Sequence, residues 1–204
     1  MSASVSFRAF PKIPRLNREV VVTEKIDGTN GAVVIARAED TDVLHRGGIA
    51  VGEYGVLAQS RTRFIYPDSD NFGFAAWVAA NADALVETLG EGAHYGEWYG
   101  KGIQRNYGLP DRRFMLFNAE RWAGHELPPN VEVATEIYRG NFNTYMVERA
   151  VDDLRDNGSR HVEGFPNPEG VVVWHGAARQ TFKVLCENDD IPKMQGVEHD
   201  YHGH

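Results

Sequence analysis

The stretch Thr23–Gly31, TEKIDGTNG, crowds Lys25 between Glu24 and Asp27 and follows it with Thr29 and Asn30. A lysine amine attacks only once deprotonated, and its ordinary pKa of about 10.4 keeps it an ammonium at neutral pH. A second cation, a bound metal or partial burial would favour the neutral amine. Residues able to assist it lie far along the chain. Glu97 stands among aromatics and glycines in YGEWYGKGIQ, Glu169 precedes the apolar run of NPEGVVVW, and Lys183 lies inside QTFKVL. A charge on a strand is unremarkable when it faces water. Lys25, Glu97, Glu169 and Lys183 on strands that must pack together point instead to one cleft, with Lys183 as the second cation. The plainer reading of the stretch is structural. Asp27-Gly28 suits a type I′ hairpin because glycine tolerates positive φ, and an isolated Lys25 would then be a solvated strand-turn charge.

The elements that must position these residues are mostly strands. REVVV, GAVVIA, VGEYGVLAQS, HYGEWYG, RFMLFNAERW, EVATEIY, GVVVW and TFKVL are rich in β-branched and aromatic residues and bounded by Gly, Asn, Asp or Pro. Two helices are expected. DNFGFAAWVAANADALVETLG sets Phe74, Val78, Leu85 and Leu89 at helical spacing, with Asp70 or Asn71 to cap its start and Gly90 its end. NTYMVERAVDDLRDNG sets Val147, Val151 and Leu154 on one face and stops at Asn157-Gly158. Many strands with two separate helices predict an α+β fold rather than alternating α/β.

The chain of 204 residues is long enough to bury a sizeable core, and no Pro/Ser-rich linker divides it, so a single domain over 1–204 is expected. No apolar run reaches membrane-spanning length and no signal peptide opens the chain. A lone cysteine, Cys186, excludes an internal disulfide and a multi-cysteine zinc site, so a cytoplasmic setting is expected. The formal net charge of −8 argues against tight non-specific nucleic-acid binding. The cations are unevenly placed, however. Arg8, Lys12, Arg15 and Arg18 cluster near the start, and Arg61, Arg63, Lys101, Arg105, Arg112 and Arg113 in the middle. The tail carries His199, His202 and His204, a spacing that can hold a transition metal but that suits a frayed polar terminus better.

Taken in order, these segments resemble the motifs of the covalent nucleotidyltransferase superfamily, which contains ATP-dependent polynucleotide ligases and mRNA capping enzymes. EKIDGTNG is similar to the nucleotidyl-lysine motif, Lys-x-Asp-Gly, and Ser60-Arg61 to the next element. YGEWYG resembles the third motif, FMLFNAE the aromatic element after it, and EGVVV and FKV the fourth and fifth. The order holds from about Glu24 to Lys183. Glu24, Thr29 and Asn30 look most like the RNA-ligase-2 type.

The resemblance implies an ATP-grasp-like nucleotidyltransferase domain, with antiparallel sheets flanking a nucleotide-binding cleft. It implies ATP as the nucleotide, Mg²⁺ or Mn²⁺ as the metal, and RNA as the partner of a monomeric enzyme. Lys25 would take AMP from ATP and pass it to an RNA 5′-phosphate, and a 3′-hydroxyl would then displace it. Lys183 would hold the α-phosphate. Glu169, and after it Glu97, would orient the metal, with the ribose as an alternative contact for Glu97. Phe117 and Val172 would sandwich adenine and Glu24 would accept a hydrogen bond from its amino group. Arg61 would reach ribose or phosphate, and Asn30 would position the ends to be joined.

The pattern departs from the family at Leu185, where a second lysine is usual, and at Asp27, where the RNA-ligase-2 type often has His. The short remainder after Lys183 has no room for an oligonucleotide-binding or helical C-terminal domain. The alternatives are a nick-sealing DNA ligase, a capping-type guanylyltransferase, or a non-catalytic nucleotide or RNA-end binding module.

Overall fold

A computed structural model describes residues 6–39 and 43–189; the tail histidines lie outside the described residues. The chain runs through β1 (Glu19–Lys25), β2 (Thr29–Arg37), β3 (Ile49–Val51), β4 (Tyr54–Ser60) and β5 (Phe64–Ile65). Helices α1 (Phe74–Ala80) and α2 (Ala82–Leu89) follow, then β6 (Gly92–Gly100), β7 (Arg112–Leu116) and the short α3 (Ala119–Trp122). The last elements are β8 (Val131–Val133), β9 (Glu136–Asn141), α4 (Thr144–Asn157), β10 (Gly170–His175) and β11 (Gln180–Leu185).

Two sheets result. One has the order β11-β10-β1-β9 and is antiparallel throughout. The other has the order β3-β4-β2-β6-β7-β8, with β5 beside β4, and is antiparallel except for the β7–β8 pair. The α+β expectation with antiparallel sheets holds. Each sheet buries one face under helices. Val20, Val22, Val171 and Val173 of the four-stranded sheet pack on Val147, Ala150, Val151 and Leu154 of α4. Val33, Ile35, Trp98, Phe114 and Leu116 of the larger sheet pack on Phe74, Val78, Leu85 and Leu89 of α1 and α2. A third cluster, with Ile26, Tyr99, Tyr107, Met115, Ala134 and Val162, joins the two halves.

Several expected elements divide. The helix over 70–90 breaks at Asn81, whose φ of −117° ends α1. Its start is capped from outside, Asp70 accepting from the N–H groups of Ala75 and Ala76. VGEYGVLAQS turns at Gly52 (φ 55°) into β3 and β4. EVATEIY splits between β8 and β9, which belong to different sheets. NAERW is helix α3, because Asn118 accepts from the Arg121 N–H and ends the extended run.

The hairpin expected at Asp27-Gly28 is not present. β1 and β2 lie in different sheets, so the link crosses between them. Gly28 is absent from the positive-φ glycines. It is needed for close approach instead: a Cβ there would stand 2.5 Å from the Trp98 carbonyl oxygen and 2.8 Å from Tyr99 Cβ. No helix among the described residues is long and apolar enough to cross a membrane.

Candidate active site

Strand alternation decides which side chains meet. On β1, Val20, Val22 and Glu24 are buried, the valines against α4, while Val21, Thr23 and Lys25 turn to the other face and keep some exposure. Lys25 pairs in register with Gly170, and Gly170 with Leu185. Thr23 pairs with Val172, and Val172 with Lys183. Directly opposed residues share a face, so Lys25, Thr23, Val172, Lys183 and Leu185 occupy one side of this sheet. On β6, Glu97 shares the face of Tyr99, away from Trp98 and the helices.

The nucleophile candidate is engaged. Lys25 Nζ donates to Glu169 Oε2 at 2.5 Å, with both side chains partly buried. Glu97 is only 8% exposed. It accepts from the Gly28 N–H at 3.2 Å and from Asn30 Nδ2 at 2.9 Å. Burial is the main cause that pushes the Glu97 carboxyl up to about 7; the charge of Lys25 opposes this and that of Glu169 adds to it. Lys25, Glu97 and Glu169 therefore share one electrostatic neighbourhood, assembled from 145 residues of chain. Among the described residues no group of three or more His, Cys, Asp or Glu side chains is placed to hold a metal.

Other expected residues stand further off. Lys183 is exposed on the edge strand β11 and makes no hydrogen bond or ion pair among the described residues. It lies two strands across from Lys25, roughly 10 Å at 4.7–4.9 Å per strand, so the cation expected beside the nucleophile is not beside it. Leu185 occupies the row of Lys25 itself, with only the side-chain-free Gly170 between them. Val172 is half-buried, and Phe117 is 44% exposed just past the end of β7. Asn30 is committed to Glu97. Arg61 is exposed one residue beyond β4 and joins none of these contacts.

Glu24 is a correction. It is 1% exposed and faces away from Lys25. Its carboxylate accepts from Ser159 Oγ at 2.6 Å, the Arg160 N–H at 2.7 Å and the His161 N–H at 2.8 Å. It anchors the loop after α4, and an adenine contact would require it to give up those partners. The period-two alternation of β1 was the signal that separates Glu24 from Lys25.

Three contributors were missed. Arg105 Nε donates to Asp27 Oδ2 at 3.1 Å and its Nη1 to the Asn167 carbonyl at 2.9 Å. One guanidinium thus ties the turn after Lys25 to the loop before Glu169. Tyr107 OH accepts from the Asp27 N–H at 2.7 Å. Both belong to a loop in which Gln104, Asn106 and Tyr107 have φ of 44°, 61° and 51°. Such conformations cost about 1–3 kcal/mol each and persist only where surroundings enforce them. Third, His161 Nε2 and Tyr99 OH meet Glu132, as does Arg113. Burial alone would raise the Glu132 carboxyl, but these partners outweigh it and hold it down to about 2. The glycines of YGKGIQRNYG were the available sign of a special loop; Glu132 had none.

Comparison with known proteins bears on the fold and the family. Among curated proteins, none matches the chain. Among solved structures, a mutant of Naegleria gruberi RNA ligase with ATP and Mn superposes with a TM-score of 0.56 at 19% identity, over 84% of this chain and 51% of that one. Another mutant of the same ligase, with AMP and Mn, gives 0.52 at 19% identity over 83% and 50%. The chain thus spans about half the length of the structures it matches, and at this identity the likeness is one of fold. The model of the RNA ligase family matches residues 18–185, from the residue before β1 to the end of β11. The chain belongs to the RNA ligase family.

Proposed function

We propose that this protein is an ATP-dependent RNA ligase that joins a 3′-hydroxyl to a 5′-phosphate through a lysyl-AMP intermediate on Lys25. The observation that carries this is the meeting of Lys25 with Glu169 and Glu97 on facing parts of two sheets. Membership of the RNA ligase family supports the substrate class, and the ATP and Mn of the Naegleria structures support the nucleotide and the metal.

In the first step Lys25 Nζ forms a bond to the α-phosphorus of ATP, the amine loses its proton, and pyrophosphate leaves with the electrons of the broken P–O bond. The Lys25–Glu169 pair must open first. Glu169 and Glu97 are the residues that would hold a divalent cation there, and a Glu169 so engaged would no longer pair with the amine. The residues fit such a role in a limited way: two carboxylates whose mutual repulsion a cation would relieve, with water and phosphate completing the shell, as suits Mg²⁺ or Mn²⁺. The cation would offset charge on the triphosphate. Lys183, on the same face, reaches toward the α-phosphate from across the sheet. In the second step an RNA 5′-phosphate oxygen attacks the same phosphorus and the P–N bond breaks, restoring the amine. In the third, the 3′-hydroxyl attacks the RNA phosphorus and AMP departs. Phe117 and Val172 supply apolar surface for adenine on this reading, and Arg61 and Asn30 remain candidates for the ribose-phosphate and the RNA ends.

The test is incubation of the protein with α-labelled ATP or GTP and Mg²⁺ or Mn²⁺, followed by a denaturing gel. A covalent AMP adduct, absent in Lys25→Ala, is expected. No adduct with either metal would overturn the reading, and a GMP adduct would reassign the protein to capping chemistry. An adduct without sealing of nicked RNA would remove the joining reaction while keeping the adenylation.

A further inference from the structure

The segment before β1 is unlike the rest of the molecule. Residues 6–18 form neither helix nor strand and every one of them is exposed. Phe7 is 94% exposed, Phe10 86%, Ile13 81% and Leu16 66%. The same segment carries Arg8, Lys12, Arg15 and Arg18 with no acid among them, and no other acid-free stretch of the chain has as many cations. Among the described residues, it is fixed to the rest of the protein by hydrogen bonds at its end. His175 Nε2 donates to the Leu16 carbonyl at 2.7 Å, and the Phe142 N–H to the Arg18 carbonyl at 2.8 Å.

Its pattern has a period of three. Phe7, Phe10, Ile13 and Leu16 recur at that spacing, and so do Lys12, Arg15 and Arg18, while Pro11 and Pro14 restrict the backbone between them. Three residues per turn is the period of a polyproline II helix. In that conformation the apolar side chains form one edge of the rod and three of the cations another.

We propose that residues 6–18 are a docking strap for the RNA strand, an inference that rests on the ligase reading. A polyanion is the ligand that satisfies both edges. Phosphates meet Lys12, Arg15 and Arg18, and unpaired bases stack on Phe7 and Phe10, as single strands do on aromatic platforms lined with cations. A protein groove that buried the apolar edge would have to supply an acidic rim along the whole rod as well. The need is also plain: a chain of net charge −8 that handles RNA requires a concentrated cationic handle. The strap joins β1 at the end opposite Lys25, about 20 Å away at roughly 3.3 Å per residue. It extends roughly 40 Å at about 3.1 Å per residue.

The experiment uses the full chain and a fluorescein-labelled RNA with a single-stranded arm, with anisotropy read over a series of KCl concentrations. The variant combining Arg8→Ala, Lys12→Ala, Arg15→Ala and Arg18→Ala is expected to bind about 10-fold or more weakly, with the slope of log K against log salt shallower by about 3. Phe7→Ala with Phe10→Ala is expected to weaken the single-stranded probe and leave the salt slope unchanged. Both variants should form the AMP adduct at the wild-type rate, which separates failure of the strap from failure of the ligase reading. Unchanged RNA affinity and slope in the first variant would overturn the proposal. So would unchanged RNA affinity together with loss of self-association, which would reassign the strap to a second copy of the chain.

Discussion

Glu97 and Arg105 show what single side chains decide here. The Glu97 carboxyl lies at about 7 rather than 4.5, chiefly through burial. Between those values the folded protein holds a proton that the unfolded chain has lost. The contribution of this group to stability is therefore greatest below about 4.5 and declines as pH rises to about 7. On the proposed mechanism the carboxylate is the form that would hold a metal, so adduct formation should rise over the same window while stability falls. Thermal melting across pH 5 to 7 checks this: Glu97→Gln should show a smaller pH dependence than wild type, and identical dependence would remove Glu97 as its cause. Arg105 acts through others. It fixes Asp27 and the Asn167 carbonyl, so it positions Lys25 and Glu169 without touching either. An exposed guanidinium adds little stability, whereas a slight misplacement of reacting groups can cost as much as about 100-fold in rate. Arg105→Ala should slow single-turnover adenylation by about 10-fold or more with the melting temperature nearly unchanged. Arg105→Lys, which lacks the two-pronged donor, should recover only part of the rate. A rate loss that merely tracks a fall in melting temperature would reduce Arg105 to a structural contact.

At the scale of elements, β1 is the hinge of the design. One face carries Lys25, the proposed nucleophile, and the other carries Glu24, which holds the loop that follows α4. Removing that carboxylate leaves Ser159 Oγ and the Arg160 N–H without their acceptor, and the His161 N–H with only its 3.2 Å bond to Ser159 Oγ, in a site that is 1% exposed. Glu24→Ala should cost about 3 kcal/mol or more of stability. Its preference for ATP over GTP, measured on whatever protein remains folded at low temperature, should not change. A stable variant with lost nucleotide discrimination would return Glu24 to the adenine. The sequence made β1 legible as a strand and Lys25 legible as its chemical residue. It did not show where the chain would go next. Asp27-Gly28 has the composition of a hairpin, and only the contact of Gly28 with Trp98 and Tyr99 reveals that the link crosses between sheets. In the same way EVATEIY reads as one strand, because nothing local to it records that β8 and β9 pair with different partners. That Glu97 and Glu169 would come near Lys25 could be expected from the order of the motifs. The part of Arg105 could not, since its partners Asp27 and Asn167 lie 78 and 62 residues away.

Across the whole molecule, the proposed chemistry and the proposed anchor for RNA fall in different places. Lys25 belongs to the four-stranded sheet, with Glu169 just before its strand β10, and Glu97 belongs to the larger one; the cluster around Ile26, Tyr99 and Met115 joins the halves. That site is partly buried, and its charges interact over a few ångströms, where salt screens weakly. The cations of residues 6–18 are exposed, and the segment joins β1 about 20 Å from Lys25 along that strand. Salt should therefore separate the steps. Raising KCl from about 50 to about 200 mM should weaken RNA binding by roughly 100-fold if four phosphates are neutralised. Sealing at sub-saturating RNA should fall in proportion, while adduct formation from ATP changes far less. Measuring both rates on one preparation across the salt series tests the division. If adenylation and sealing decline in parallel, the polyanion is held at the catalytic cleft itself and the separation of roles is lost.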